Sequence, residues 1–451
     1  MDNKLSKRYM PLKLFLAYIA FTLFVALYGP RVYLDFNKYI VLAFMGAFVL
    51  VFWGGFSWGV SAKTPGLVLE KGETSSNDKD FYFQDPFLKK MVLACTYTCL
   101  VFYVITLIDH LLAGRLPSLS NMGETYLEYH QAKNEIGTDA GTFRATPLEV
   151  IFLLLGFPRI VLMTLGVYFF KTYPLKHKIW FSVAFFLMFF CPVFFTGHQK
   201  TLGDLLIFGG SVVFISNMGA GKKIKRGVLT AGIIGGICFF FLCAYVQMQR
   251  MEALGIYGLD INTKIPSFYY YDPDHWLLSL FGERFGIGIA GLITGYMTGG
   301  YYGLSLCLQL PFVFTYGMSL FSPLSKIVYR TIGYDGLADH YVSRMSETFG
   351  IPGFSNWHTV FPYLAGDLTF PGTILFFGLI AWLWGKCWRE ILLYKNPLSI
   401  LMFCQLNLML CYVPSNNQVF WGIDSNIAFW IIFFMWLKRH RMYNRYPAKQ
   451  A

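Results

Sequence analysis

The sequence predicts an all-α polytopic membrane protein of about twelve transmembrane helices, with its large polar loops gathered on one side. Three observations lead there. Of 451 residues, 55% are hydrophobic and only 14% are charged. The apolar residues come in blocks of about 17 to 25, long enough to cross a hydrocarbon core of roughly 30 Å as helices. Strict alternation, which a membrane barrel would need, is absent. The formal charge of +12 is spread between the blocks as topogenic signals and forms no single patch, which argues against nucleic acid as a partner.

Taken in order, the expected spans lie near 12–29, 39–60, 91–112, 147–169, 178–196, 201–218, 227–247, 286–304, 305–325, 367–386, 397–413 and 424–437. The first follows the basic flank "MDNKLSKRYMPLK", is long, and lacks a small-x-small cleavage site, so it reads as a retained span. The Gly-rich "GIGIAGLITGYMTGGYYG" admits two spans or a broken, partly re-entrant pair, with the same parity either way. No soluble domain or internal repeat interrupts 1–451, which reads as one integral membrane domain.

Orientation follows from the Lys/Arg bias near span ends. With the amino terminus inside, the tail, 61–90, "KTYPLKHK", "GKKIKR", "KCWREILLYK" and "KRHRMYNRYPAK" are cytoplasmic and hold 24 of the 37 Lys and Arg. The outer side then receives loops 113–146, 248–285 and 326–366 and the short "GHQK" and "VPSNNQVFWGID" turns, while both termini are cytoplasmic. The nine cysteines fall in or at the edges of apolar segments without a CxxC, so they read as small packing residues rather than a disulfide framework or a zinc site.

Several residues on the outer side carry chemistry. Arg159 follows Pro158 inside an apolar block, and a cation at that depth faces a wet cavity or an anion unless it snorkels. His198 and Lys200 sit in a very short turn held near the bilayer surface, where a cation suits an anionic headgroup and an ordinary interfacial lysine is the plain alternative. Arg250 follows one span and Arg284 precedes the next, placing two guanidiniums where both can grip a phosphate in bidentate fashion. Asp272, Asp274 and His275 invite a cation site, although a turn organised by "DPD" accounts for them more simply. Loop 326–366 adds Arg330, Asp339, His340, Arg344 and Glu347 and closes on His358, whose imidazole suits proton abstraction from a sugar hydroxyl near neutral pH. Asp367 is expected to begin the next helix, where an acid complements the dipole. Six or so cations and two or three imidazoles, with no nucleotide-binding loop, fit a membrane-tethered phosphate or pyrophosphate substrate.

The stretch "NWHTVFPYLAGDLTFPGTILFFGLIAWLWG" is similar to the pattern of O-antigen polymerases of the Wzy kind and, more distantly, O-antigen ligases: a histidine, then an acidic-Leu-x-x-x-Gly entry into a span. "TGHQKTLGDLL" resembles a second motif, with Lys200 where the family has arginine, and Arg284 with Gly295 supplies one Arg-then-Gly pattern. The resemblance covers most of the chain and implies a GT-C-like, metal-independent glycosyltransferase of the bacterial inner membrane that needs no cofactor. It implies polymerisation of undecaprenyl-pyrophosphate-linked oligosaccharide repeats on the periplasmic face, with membrane lipids and a polysaccharide co-polymerase (chain-length regulator) as partners. Under it, His358 is the catalytic base and Arg284, Arg344 and Arg250 clamp pyrophosphate, assisted by Arg159 or Lys200; Arg284→Lys or Arg344→Lys impairs activity. The other class kept in view is a lipid-linked oligosaccharide flippase or sugar transporter, opposed by the lack of paired broken helices in two halves.

Overall fold

The structure, a computed structural model, describes residues 7–61, 85–114, 154–197, 200–218, 226–264, 268–321, 325, 328–329, 331–351 and 358–443. His198, Arg330 and most of loop 113–146 lie outside the described residues. Among those described, seven helices are long and apolar enough to cross a membrane, and two shorter apolar helices accompany them.

Helix α1 (Met10–Tyr28) is followed by strand β1 (Arg31–Tyr33), α2 (Lys38–Ser61) and α3 (Pro86–Leu112). Next come α4 (Gly156–Val161), prolonged by a π-helical turn over Leu162–Gly166, then α5 (Leu175–Thr196), α6 (Lys200–Met218) and α7 (Arg226–Ala253). The central region holds α8 (Ile261–Lys264), β2 (Tyr269–Tyr271), α9 (Trp276–Phe281) and α10 (Glu283–Ala290). A π-helical stretch, Gly291–Met297, joins α10 to α11 (Gly300–Cys307), and α12 (Tyr341–Phe349), α13 (Val360–Tyr394), α14 (Pro397–Cys411) and α15 (Ile423–Tyr443) complete the chain. The all-helical expectation needs one small amendment: β1 and β2 pair antiparallel, with Arg31 opposite Tyr271 and Tyr33 opposite Tyr269. Both are β-branched or aromatic runs, the residue types that favour a pleated ribbon.

The centre of the bundle is α14. It is predominantly apolar around its circumference, as a helix without a solvent face must be, and Ile400, Leu401, Met402, Cys404 and Leu406 are all fully buried. Phe15, Phe52, Trp384 and Phe403 join α1, α2, α13 and α14 through a chain of ring contacts, Trp384 stacking on Phe403 with centroids 5.5 Å apart. Lipid offers no hydrophobic reward for helix association, so close packing has to supply it. The densest seam shows how: α2 and α13 run parallel, with the backbone of Gly55 against the Gly378 carbonyl and that of Gly59 against the Trp382 carbonyl. These two glycines form a Gly-x-x-x-Gly step on α2, and a Cβ at either would overlap the facing helix. Gly59→Ile is therefore expected to lower the thermal midpoint of the purified protein sharply, by overpacking that typically costs about 1–3 kcal/mol or more. Gly54→Ala, with nothing within 4 Å of the new methyl, serves as the neutral control; equal midpoints for the two variants would refute this account of the seam.

Hydrogen bonds sort the helix ends into two sets. At one end the Trp388 indole donates to the Lys7 carbonyl at 3.3 Å, the Tyr443 hydroxyl to Asp85 at 3.3 Å, and the Asn396 amide to the His440 carbonyl at 2.9 Å. The carboxylate of Glu390 there accepts from Ser399 at 2.5 Å and from the Trp436 indole at 3.3 Å, tying α13, α14 and α15 together. Lys7, Lys89, Lys178, Arg389 and Lys438 all lie at this basic end. At the opposite end Arg250 donates to the Gly197 carbonyl at 3.0 Å, Val360 N to the Val413 carbonyl at 3.0 Å, and Leu34 N to the Phe268 carbonyl at 3.0 Å.

Two expected spans are revised. Segment 286–304 stays at the opposite end along its length: Gly295 lies against Arg31, Tyr301 bonds Thr22 at 3.0 Å, and Gly303 lies against His358. These contacts are those of a broken segment held at one end of the helices. Residues 308–321, expected to be helical within 305–325, form turns and irregular chain instead. The physical reason is Asp367, whose carboxylate accepts from Thr315 Oγ1 at 2.7 Å, Gly317 N at 2.8 Å and Leu320 N at 2.8 Å. Those backbone donors are thus satisfied without a helix. Asp367 is accordingly no helix start; α13 begins seven residues earlier, at Val360.

Candidate functional site

Helix α13 is interrupted at Thr369, which has φ 62 and ψ 165. A threonine in that region is strained backbone, of the kind retained where the surroundings over-determine it. Its hydroxyl accepts from Gly372 N at 3.2 Å, so it caps the helix that restarts at Phe370. Pro371 occupies an early position whose N–H would have had no partner. The packet "GDLTFPG" therefore makes a break: a short helix over Val360–Leu368, then the membrane-length helix.

His358 sits just before that short helix and is 2% exposed. Its ring lies on Gly303, where a Cβ would overlap Nδ1, and Gly300 is pressed equally closely by Thr359 N and the Pro414 carbonyl. Together with Arg31, Tyr33, Gln247, Tyr269 and Tyr302, His358 lines a cavity of about 230 Å³ at the end opposite the basic one. Drug-sized pockets run to roughly 300–1,000 Å³, so this cavity has room for a group the size of one sugar ring or a phosphate and not for a larger molecule.

Arg31 is the residue that sequence reasoning missed. Its Nε and Nη2 both donate to the Tyr271 hydroxyl, at 3.2 and 2.5 Å, and Nη1 donates to the Tyr33 hydroxyl at 3.4 Å. The guanidinium lies 4.0 Å from the centre of the Tyr269 ring and against the backbone of Gly295. Among the described residues no carboxylate comes within ion-pair distance of it. Of five N–H groups, these bonds use three. Burial pushes the Tyr271 phenol up to about 12 despite the neighbouring cation, so its hydroxyl stays neutral. Tyr33 stacks on Tyr302, with ring centroids 4.4 Å apart, and adds a broad aromatic wall.

The other cations sit elsewhere. Arg284 and Arg344, expected to meet His358 around one pyrophosphate, do not line this cavity. Arg284 is exposed and paired with Glu252, and Arg344 donates to the Pro311 carbonyl at 2.8 Å with its guanidinium near the Tyr341 ring. Arg250 comes closer: it contacts the hydroxyl of Tyr296, a lining residue, at 3.4 Å. Arg159 forms an ion pair with Asp424, so the anion expected for a deep cation is supplied by α15. Lys200 pairs with Asp204 one turn on, at 2.8 Å. Asp272, Asp274 and His275 form the turn: Asp274 N donates to Asp272 Oδ1 at 3.0 Å, and His275 caps α9 by accepting from Leu277 N at 3.3 Å. His340 caps α12 in the same way at 3.2 Å, and burial pushes its ring down to about 4, keeping it a neutral acceptor.

The chain matches no family model, no curated protein and no solved structure. What the fold and site define is a class: a helical membrane protein with a small aromatic cavity at the end opposite Lys7 and Lys438, lined by one imidazole and by one arginine that has no carboxylate within ion-pair distance among the described residues.

Proposed function

We propose that this protein is an O-antigen polymerase of the Wzy kind, a GT-C-like glycosyltransferase of the bacterial inner membrane. It joins undecaprenyl-pyrophosphate-linked oligosaccharide repeats on the periplasmic face. The observation that carries the reading is His358 and Arg31 on one cavity, roughly two turns apart along the Gly295–Gly303 segment. The Lys/Arg bias puts that cavity on the periplasmic side and both termini in the cytoplasm. In this reading 283–307 and 360–368 are re-entrant and ten of the described helices cross the membrane, two fewer than the sequence suggests.

In the reaction, an acceptor hydroxyl on the non-reducing sugar of one repeat attacks the anomeric carbon at the reducing end of the growing chain. His358 takes the hydroxyl proton as the new C–O bond forms. The bond to pyrophosphate breaks, and undecaprenyl pyrophosphate leaves with the electron pair. Arg31 binds the developing charge with its guanidinium, in a low-dielectric site where such contacts count most. Arg250, behind Tyr296, adds longer-range positive potential. Tyr33, Tyr269 and Tyr302 wall the cavity with aromatic surface against which a sugar packs.

A second reading is transport of the lipid-linked oligosaccharide, favoured by the interrupted helices at Leu162–Gly166 and Gly291–Met297, since broken helices commonly hold transported substrate. One experiment separates the readings. Purified protein in lipid nanodiscs, given labelled lipid-linked repeats and no gradient, is expected to produce a ladder of lengthening products. No new glycosidic bond would favour transport, and product formation only when lipid A core is added would mark a ligase.

A further inference from the structure

A second concavity lies on the lipid side of α15, far from the site. It measures about 630 Å³ and is lined by Ile427, Trp430, Ile431, Phe434, Lys438 and Arg439, with Phe87 of α3 opposite. Ile427, Ile431, Phe434 and Lys438 follow at four-, three- and four-residue steps, so they share one helix face. Trp430, Ile431 and Phe434 are 42%, 39% and 50% exposed, so nothing among the described residues covers this face.

The groove is polarised. Its cations stand only at the basic end, where the Arg439 guanidinium lies 3.9 Å from the centre of the Phe87 ring. Among the described residues neither Lys438 nor Arg439 forms an ion pair with a carboxylate. From Lys438 to Ile427 the helix rises about 16 Å at 1.5 Å per residue, close to half the roughly 30 Å hydrocarbon core. The groove is thus about one leaflet tall, apolar between its ends, with Asn426 and Phe321 at the far end and positive charge at its mouth.

We propose that this groove binds an anionic glycerophospholipid: one acyl chain lies along Ile427, Ile431 and Phe434, and Lys438 and Arg439 hold the headgroup phosphate. The chemistry matches at both ends, since an acyl chain fills an apolar slot of that length and basic side chains at the bilayer surface favour an anionic headgroup. The basic mouth lies at the end opposite His358, so the lipid held here is no substrate of that cavity. It would instead seal the seam between α3 and α15.

The test uses the full chain in nanodiscs of phosphatidylcholine with phosphatidylglycerol, released for native mass spectrometry. Phosphatidylglycerol is expected to be retained with a preference of roughly tenfold or more over phosphatidylcholine. Lys438→Gln with Arg439→Gln should abolish the preference, Lys438→Arg should keep it, and Ile431→Trp should reduce retention of both lipids by filling the slot. Equal retention of the two lipids by the native chain, or an undiminished preference in the double Gln variant, would overturn the proposal. Displacement of the bound phosphatidylglycerol by millimolar inorganic phosphate would overturn the acyl-chain half and leave an anion site only.

Discussion

His358→Ala is expected to reduce polymer formation by roughly 10²–10⁴-fold, the usual contribution of a positioned general base, while single repeats capped onto their acceptor and normal amounts of folded protein remain. The side chain is 2% exposed and lies on Gly303, so its removal also opens a small void. A packing residue and a base therefore need separate readouts. If His358 only packs, alanine lowers the thermal midpoint and leaves turnover per folded molecule unchanged. If it takes the proton, His358→Gln, which keeps volume and polarity, is as inactive as alanine, and the residual activity loses the pH dependence set by an imidazole. Gly303→Ala offers an independent check, because the added methyl overlaps Nδ1 and pushes the ring off its position. It is expected to lower kcat with the chemistry of His358 intact. Chains of native length made by His358→Ala would remove this residue from the mechanism and leave the cavity to a binding role.

The spans were legible wherever block length decided the matter. α1, α2, α3, α5, α6 and α7 lie close to the expected positions, since a run of about twenty apolar residues between charges has few other uses. The reading failed at 305–325 for an identifiable reason. "LCLQLPFVFTYGMSLFSPL" is apolar enough to span, yet Pro311 and Gly317 interrupt it and Asp367, some fifty residues on, takes over its backbone donors. Charge pairing was similarly hidden. Arg284 with Glu252, and Arg159 with Asp424, are separated by 32 and 265 residues, and no local pattern announces such partners. His358 was found because its packet resembles a known motif. Arg31 was missed because its loop is short, although two signals were present: an arginine directly after Gly-Pro at a span end, and "RVY" and "YYY" as matched strand-forming runs. The Gly-rich segment carried a third signal. Its glycines admit Arg31 at Gly295 and His358 at Gly303, so the spacing that suggested a broken helix also marked the walls of the site.

Arg31 gives the sharper test, because stability and activity should move in opposite directions. A half-buried guanidinium held by phenol oxygens and ring faces, with no carboxylate among the described residues within ion-pair distance, is a costly group for the fold to keep. Arg31→Met fills similar volume without a charge, and it is expected to leave the thermal midpoint equal or higher, as replacing a partly desolvated charge that has no carboxylate partner by an apolar side chain often does. Activity should fall by roughly 10²–10³-fold, the range for losing one preorganised donor to a developing negative charge. Arg31→Lys keeps the charge but replaces a planar fork with a single point, so it should recover little. Arg284→Ala is the control: its ion pair with Glu252 is 63% exposed on the arginine side, worth little to stability, and away from the cavity, so activity should be close to native. The measurements are chain elongation and thermal unfolding of the same nanodisc preparations. A marked loss of stability in Arg31→Met with native turnover per folded molecule would make Arg31 a structural brace for β1 and β2. Loss of activity in Arg284→Ala would move the pyrophosphate site back to the exposed surface at α10.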